Sequence, residues 1–268
     1  MLTKVLITVK TYPDFLSNPE EVPTICGFKE DGSWVRIYPF PLKKMPFDKQ
    51  FKKYDWIEID LIKNMDDFRP ESYLPVNPDL PIKVVGHLDT ENCWHERRKI
   101  VLNKVYNDFN EIITDSQNKE NPVSLAVYQP KKSIQFESST TISEWNSTQR
   151  YLLEKYNLYD DGGDDLVLIP KIPFKFYYYF EDYSGGKIKL AINDWEVSKF
   201  YLTCLRKYEG NESKAYDYLR RKFFDDYAKA KDAYFFMSTT LQSHHKPKIP
   251  FSVVGVFYPK FQHEISFF

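Results

Sequence analysis

Residues 34–38 read Trp-Val-Arg-Ile-Tyr. In an extended strand the side chains alternate, so Val35 and Ile37 point one way and Trp34, Arg36 and Tyr38 the other. A row of two rings and a guanidinium suits one chemistry well. The rings stack on unpaired bases, and the guanidinium pairs with phosphate or stacks itself. Stacking contributes about 1–3 kcal/mol per base whatever the base is. The competing reading is a sheet face packed under another layer, with Arg36 satisfied by a carboxylate such as Glu30 or Asp60.

Other residues of the same type lie nearby. Lys10 and Tyr12 close the first apolar run as Lys-Thr-Tyr-Pro. From Lys29 to Lys53 there are seven basic residues (Lys29, Arg36, Lys43, Lys44, Lys49, Lys52, Lys53) against three acidic ones. Such an excess attracts phosphate and makes binding salt-dependent. Arg69 sits in Phe-Arg-Pro-Glu-Ser-Tyr, where Pro70 stiffens the backbone and either a phosphate or Glu71 is a natural partner. The expected nucleic-acid-binding set is therefore Lys10, Tyr12, Trp34, Arg36, Tyr38, Lys52, Lys53 and Arg69. The basic runs at 94–99 and 218–224 read as solvated helix faces.

Catalytic patterns are missing. There is no HExxH, GxSxG, Walker A or GxGxxG run. Asp160, Asp161, Asp164 and Asp165 surround two glycines without the spacing of a calcium loop. Glu58 and Asp60 faintly suggest a metal nuclease, but Lys63 falls on the opposite strand face from Asp60. His244 and His245 have no partnering cysteine. No catalytic residue, metal or cofactor is expected.

These side chains need elements to hold them. The chain has 268 residues, 42% hydrophobic and 28% charged, so it can bury a core. The formal net charge of -1 excludes a strongly basic chain but not a basic face. Aromatics reach 17%, with 20 Tyr and 21 Phe, more than an ordinary core requires. Cys26, Cys93 and Cys204 are too scattered for a disulfide framework or a zinc cluster. No apolar run approaches a signal or membrane segment, and a cytoplasmic location with no membrane partner is expected.

Strands are predicted at 3–12, 24–28, 33–40, 54–63 and 81–88, joined by turns without a βαβ rhythm. A long helix is predicted over 92–115, followed by a polar linker at 114–122. The second half restarts with a strand at 123–128, a short helix at 146–157 and a hairpin turning at Ser184–Gly186. Asp194 and Asn211 are placed to cap helices, and Gly210 to stop one. Two strands close the chain. The expected class is α+β, mainly β. Residues 1–115 would form a barrel plus the long helix, and residues 116–268 a second barrel with an inserted helix pair.

Several segments in order, "KVLITVKTYP", "CGFKEDGSWVRIYPFPL", "FKKYDWIEIDL", "SLAVYQPKK", "IPFKFYYYFED", "INDWEVSKFY" and "FSVVGVFYP", resemble the prokaryotic dual-OB-containing domain family associated with defence and mobile elements. The resemblance implies two OB-like barrels, which commonly hold single strands. In that family the hairpin before the Asp-Trp-Glu helix can carry paired cysteines and a histidine, a set suited to zinc. Here it reads "FEDYSGGKIKL", so no zinc is expected. The resulting expectation is a non-enzymatic binder of single-stranded DNA or RNA, with other subunits of a defence complex as further partners. The alternatives are a protein-docking adaptor, a nucleotide or ligand sensor, and a divergent metal nuclease.

Overall fold

In the computed structural model, residues 2–13, 23–38, 40, 51–77, 82–155, 159–160, 167–244 and 249–261 are described. The acidic run at 161–165, most of the basic loop including Lys43, Lys44 and Lys49, and His245 lie outside them. Strands take 35% and helices 27%, which makes the chain α+β and mainly β. No helix among the described residues is long and apolar enough to cross a membrane.

Aliphatic and β-branched residues alternate along β1 (Leu2–Lys10), β2 (Ile25–Phe28), β3 (Trp34–Ile37), β4 (Asp55–Lys63) and β5 (Ser72–Pro75). The strands close in the order β1-β2-β3-β5-β4-β1. The β3–β5 pair is parallel, and the others are antiparallel. This is a closed five-stranded OB-like barrel. It closes because β1 serves two partners: Leu2–Leu6 pairs with β4 and Leu6–Lys10 with β2. The register shifts between Ile7 and Val9, and such a bulge bends a strand. Crossing is tight there. A Cβ on Gly27 would lie 2.0 Å from the Leu6 carbonyl oxygen, so only glycine fits. Val5, Ile7, Ile25, Val35, Ile57 and Leu61 fill the interior. β6 (Lys83–His87) adds to the outer edge of β4.

The predicted single helix over 92–115 is instead three elements: α1 (Glu91–Val101), β7 (Val105–Tyr106) and α2 (Phe109–Ser116). The helical spacing is overridden by tertiary pairing. Val105 and Tyr106 pair in parallel with β8 (Leu125–Tyr128), and the Asp108 side chain caps α2 by accepting from the Asn110 N–H. Asn92, Cys93 and Trp94 all have positive φ, a conformation costing about 1–2 kcal/mol per residue. The turn sets the Trp94 ring against Phe257 and Tyr258, 5.2 and 5.0 Å between centroids.

Further elements follow: β9 (Lys132–Thr140), α3 (Ser147–Lys155), the two-residue strands β10 (Tyr159–Asp160) and β11 (Val167–Leu168), and the hairpin β12 (Phe174–Glu181) and β13 (Lys187–Ala191). Next come α4 (Trp195–Lys207), α5 (Glu212–Arg220), a π-helix (Arg221–Lys229), β14 (Tyr234–Thr239) and β15 (Phe251–Phe257). Asp194 and Asn211 cap α4 and α5, and Gly210 between them has φ 84°.

The second half repeats the connectivity of the first. β8 pairs with β14 and β9 with β12, and only Gln129, Pro130 and Lys131 separate β8 from β9. They act as one strand broken at Pro130, as β1 acts as one strand bent at its bulge. Ile192, just past β13, bridges in parallel to Val253 of β15, and β15 pairs with β14. The order is again 1-2-3-5-4-1, with α4, α5 and the π-helix inserted between the third and fourth strands. Rings fill this barrel: Phe235 lies 4.6 Å from Phe180 and 5.1 Å from Tyr178. That packing absorbs much of the aromatic excess.

The two barrels share buried surface. The outward side chains Leu6, Cys26 and Phe28 of the first join Val127, Phe236 and Val254 of the second in one buried cluster. Apolar burial of this kind drives the association.

Candidate functional site

The expected open face of Trp34, Arg36 and Tyr38 is covered. Arg36 is 2% exposed and reaches into the second barrel. It donates to the Thr239 carbonyl at 3.0 Å, the Ser124 carbonyl at 3.1 Å and the Ser124 Oγ at 2.8 Å. Its partners are carbonyls and hydroxyls, not the carboxylate expected. Burial, then the Arg69 charge, lowers its pKa to about 10. Trp34 is half-buried, 3.9 Å from Phe28 and 5.8 Å from Phe236. Tyr38 is half-buried beside β5, its backbone N–H bonded to the Tyr73 carbonyl. Trp34 and Arg36 form an inter-barrel contact, because the second barrel covers what alternation alone leaves open.

Arg69 belongs to the same contact. It is 3% exposed, forks onto Asp67 at 2.6–3.1 Å and donates to the Thr239 carbonyl at 2.8 Å. Burial pushes the Asp67 carboxyl up, but bonds from Arg69 and Ser72 and the Arg69 charge bring it down to about 2. A carboxylate with a depressed folded pKa stabilises the fold above its unfolded pKa. That stability is lost as pH falls through the folded value. Asp67 is therefore expected to contribute about 2 kcal/mol, present above about pH 4 and fading toward pH 2. Urea titrations at stepped pH, comparing wild type with Asp67→Asn, measure it: the difference between the two should shrink with acidification.

Lys10, Lys52 and Lys53 do come together, in a cleft of about 400 Å³ between the first barrel and the helices of the second. Five lysines and six aromatic rings line it against one carboxylate, Glu196, among the described residues. α4 contributes Trp195, Lys199 and Phe200, the π-helix Lys222, Phe223 and Tyr227, and the chain after β15 Tyr258. The Lys222 ammonium lies 3.9 Å from the Phe200 ring centroid. Tyr227 and Tyr258 stack at 3.7 Å with 9° between their planes, and Trp94 backs Tyr258. The i to i+5 winding of a π-helix is rare and recurs at functional sites. Here the Phe223 carbonyl takes the hydroxyl of buried Tyr178 at 3.0 Å.

The lysines are not equivalent. Lys53 bridges Asp194 at 3.3 Å and Glu196 at 2.9 Å. Burial works against its charge, but the two carboxylates outweigh burial and raise its pKa. It is a strut rather than a phosphate ligand. Lys10 is 5% exposed, donating to the Phe51 carbonyl over the Phe51 ring. Lys52 is exposed, and Lys199 and Lys222 are half-buried. These three carry the accessible charge.

Residues 106–268, more than half of the chain, match the family model described as Domain of unknown function (DUF8757). The chain belongs to the DUF8757 family. Residues 1–103 match a second model, Domain of unknown function (DUF8758). No curated protein and no solved structure matches the chain.

The cleft is thus built from both matched regions. The DUF8758 region supplies Lys10, Phe51, Lys52 and Lys53, all but Phe51 in the expected set. Tyr12 packs instead on Trp195 at 5.4 Å and donates to the Pro170 carbonyl at 2.6 Å. The DUF8757 region supplies Lys199, Phe200, Lys222, Tyr227 and Tyr258, which the sequence reading misses. A signal existed in the run Arg-Arg-Lys-Phe-Phe at 220–224, whose solvated-face reading holds for Arg221 but not for Lys222 and Phe223. The run at 94–99 is likewise only partly solvated: Arg97 is 6% exposed, 3.8 Å from the Tyr54 ring.

Proposed function

We propose that this chain is a non-enzymatic single-stranded nucleic-acid-binding protein whose inter-barrel cleft holds the strand. The observation that carries the reading is the lining of the cleft. Lysines and the half-buried rings Phe200, Tyr227 and Tyr258 converge there, and Glu196, the one carboxylate among the described lining residues, is already paired with Lys53. Cations for phosphate and rings for bases are what a sequence-tolerant strand site requires. The resemblance to the dual-OB-containing family points the same way.

A second reading has a specific observation in its favour. A volume of about 400 Å³ lies within the range of small-molecule sites, so a single nucleotide is the alternative ligand.

The test is fluorescence anisotropy with labelled single-stranded DNA, single-stranded RNA and duplex of about 30 nucleotides, enough for two barrels, at two salt concentrations. Single strands should bind in preference to duplex, and more weakly in higher salt. Lys199→Glu/Lys222→Glu should weaken single-strand binding at least about tenfold and flatten the log–log salt slope by about 1.4. Unchanged affinity would remove the cleft from the reading. Binding of a mononucleotide as tight as that of the oligomer would favour the sensor.

A further inference from the structure

The internal repeat makes a comparison possible. β12 and β13 occupy in the second barrel the places that β2 and β3 occupy in the first. In the first barrel the outer surface of this hairpin, bearing Cys26, Phe28, Trp34 and Arg36, is covered by the second barrel. In the second barrel the corresponding surface is accessible. Lys187 and Lys189 are exposed, and Tyr177 and Tyr179 are half-buried.

We propose that the outer face of the β9–β12–β13 sheet is a second single-strand contact surface, with Tyr177 and Tyr179 as stacking rings and Lys189 as a phosphate ligand. The proposal rests on the single-strand reading but not on the cleft. Alternation along β12 buries Phe176, Tyr178 and Phe180 and turns Tyr177 and Tyr179 outward. Both hydroxyls are tethered. Tyr179 donates to Glu137 at 2.7 Å, and Tyr177 receives the Ser139 hydroxyl at 3.4 Å. The Lys189 ammonium sits 4.4 Å from one ring centroid and 4.9 Å from the other. Rings and cation are therefore positioned before any ligand arrives, which lowers the ordering cost of binding.

Spacing and charge select the occupant. Residues two apart on a strand lie about 6.8 Å from each other, about twice the 3.4 Å rise of a stacked strand. An extended single strand can place bases on both rings. Aromatic residues on an open sheet face stack bases in this way in other RNA-binding folds. The carboxylates Glu137 and Glu181 are already paired, with Lys189 at 3.3 Å and Lys131 at 2.8 Å, and the exposed Lys187 adds a further cation. A polyanion with flat bases fits this surface.

The experiment uses the full chain and single-stranded oligonucleotides of about 8 and about 30 nucleotides. Tyr177→Ala/Tyr179→Ala should lose at least about tenfold in affinity for the longer one, with melting temperature and circular dichroism as wild type. Lys189→Glu, a single exposed change, should weaken the same binding and lower its salt dependence. Wild-type affinity in both variants overturns the proposal and leaves the face a solvated sheet or a protein contact. If these variants lose affinity while Lys199→Glu/Lys222→Glu does not, the proposal stands and the cleft reading fails. The reverse pattern overturns this proposal alone. Absence of any single-strand binding by the wild type overturns both.

Discussion

Replacing Arg36 by alanine is expected to destabilise the protein by about 4 kcal/mol, among the largest effects of any single substitution in the chain. The guanidinium is buried at the inter-barrel contact and makes its bonds to residues of the second barrel. It also balances charge. Glu71 is buried beside it, with Oε1 accepting the backbone N–H groups of Ser124 and Leu125 and Oε2 without a bonding partner. Removing Arg36 takes one cation from Asp67 and Glu71 and leaves them facing Arg69 and the less buried Lys63. It also leaves a void where a long side chain filled the contact. Arg36→Lys should rescue only part of the loss, because a point charge cannot span the divergent acceptors that a planar fork reaches. Urea denaturation followed by tryptophan fluorescence measures both. A midpoint within error of wild type for the alanine variant would show that the buried bonds hold nothing together. Because the second barrel closes over this surface, the same variant also reports on nucleic acid. Unchanged single-strand affinity in the residual folded fraction is expected, since Arg36 contacts no solvent-accessible groove.

The barrels were legible and the interface was not, for a single physical reason. Alternation of Val35 and Ile37 with Trp34 and Arg36 says which side chains share a face. It says nothing about what covers that face. Local signals were reliable where the interaction itself is local: Asp194 and Asn211 accept from N–H groups two and three residues on, and Gly210 takes the positive φ that ends α4. Where the deciding partner is distant, the reading failed. The spacing over 92–115 is helical, yet β8 captures Val105 and Tyr106 as a strand. The π-helix is invisible because Phe223 and Tyr227 satisfy an ordinary helical stripe equally well. The cleft was half legible. Lys10, Lys52 and Lys53 were recognisable as basic residues near the end of a strand, but Lys199, Phe200 and Lys222 join them only when two barrels dock.

Lys53→Met is expected to cost about 3 kcal/mol and, unlike the Arg36 change, to be repaired by a second substitution. Lys53 has a side chain 8% exposed, and Asp194, which it meets, is 1% exposed. Burial raises the Asp194 carboxyl to about 6, with Lys53 pulling the other way. Without the ammonium, Asp194 keeps the Glu196 N–H as donor but loses its compensating charge. A carboxyl whose folded pKa lies above its unfolded value opposes folding while ionised. That opposition is present above the folded pKa and is relieved as pH falls through it. The deficit of Lys53→Met should therefore be largest above about pH 7 and narrow toward pH 5 as Asp194 takes a proton. Adding Asp194→Asn removes the uncompensated charge and keeps the capping oxygen, so the double variant should recover most of the lost stability at neutral pH. A thermodynamic cycle by urea titration at two pH values decides it. Additive, pH-independent losses would mean that the Lys53 charge does not compensate the Asp194 carboxylate.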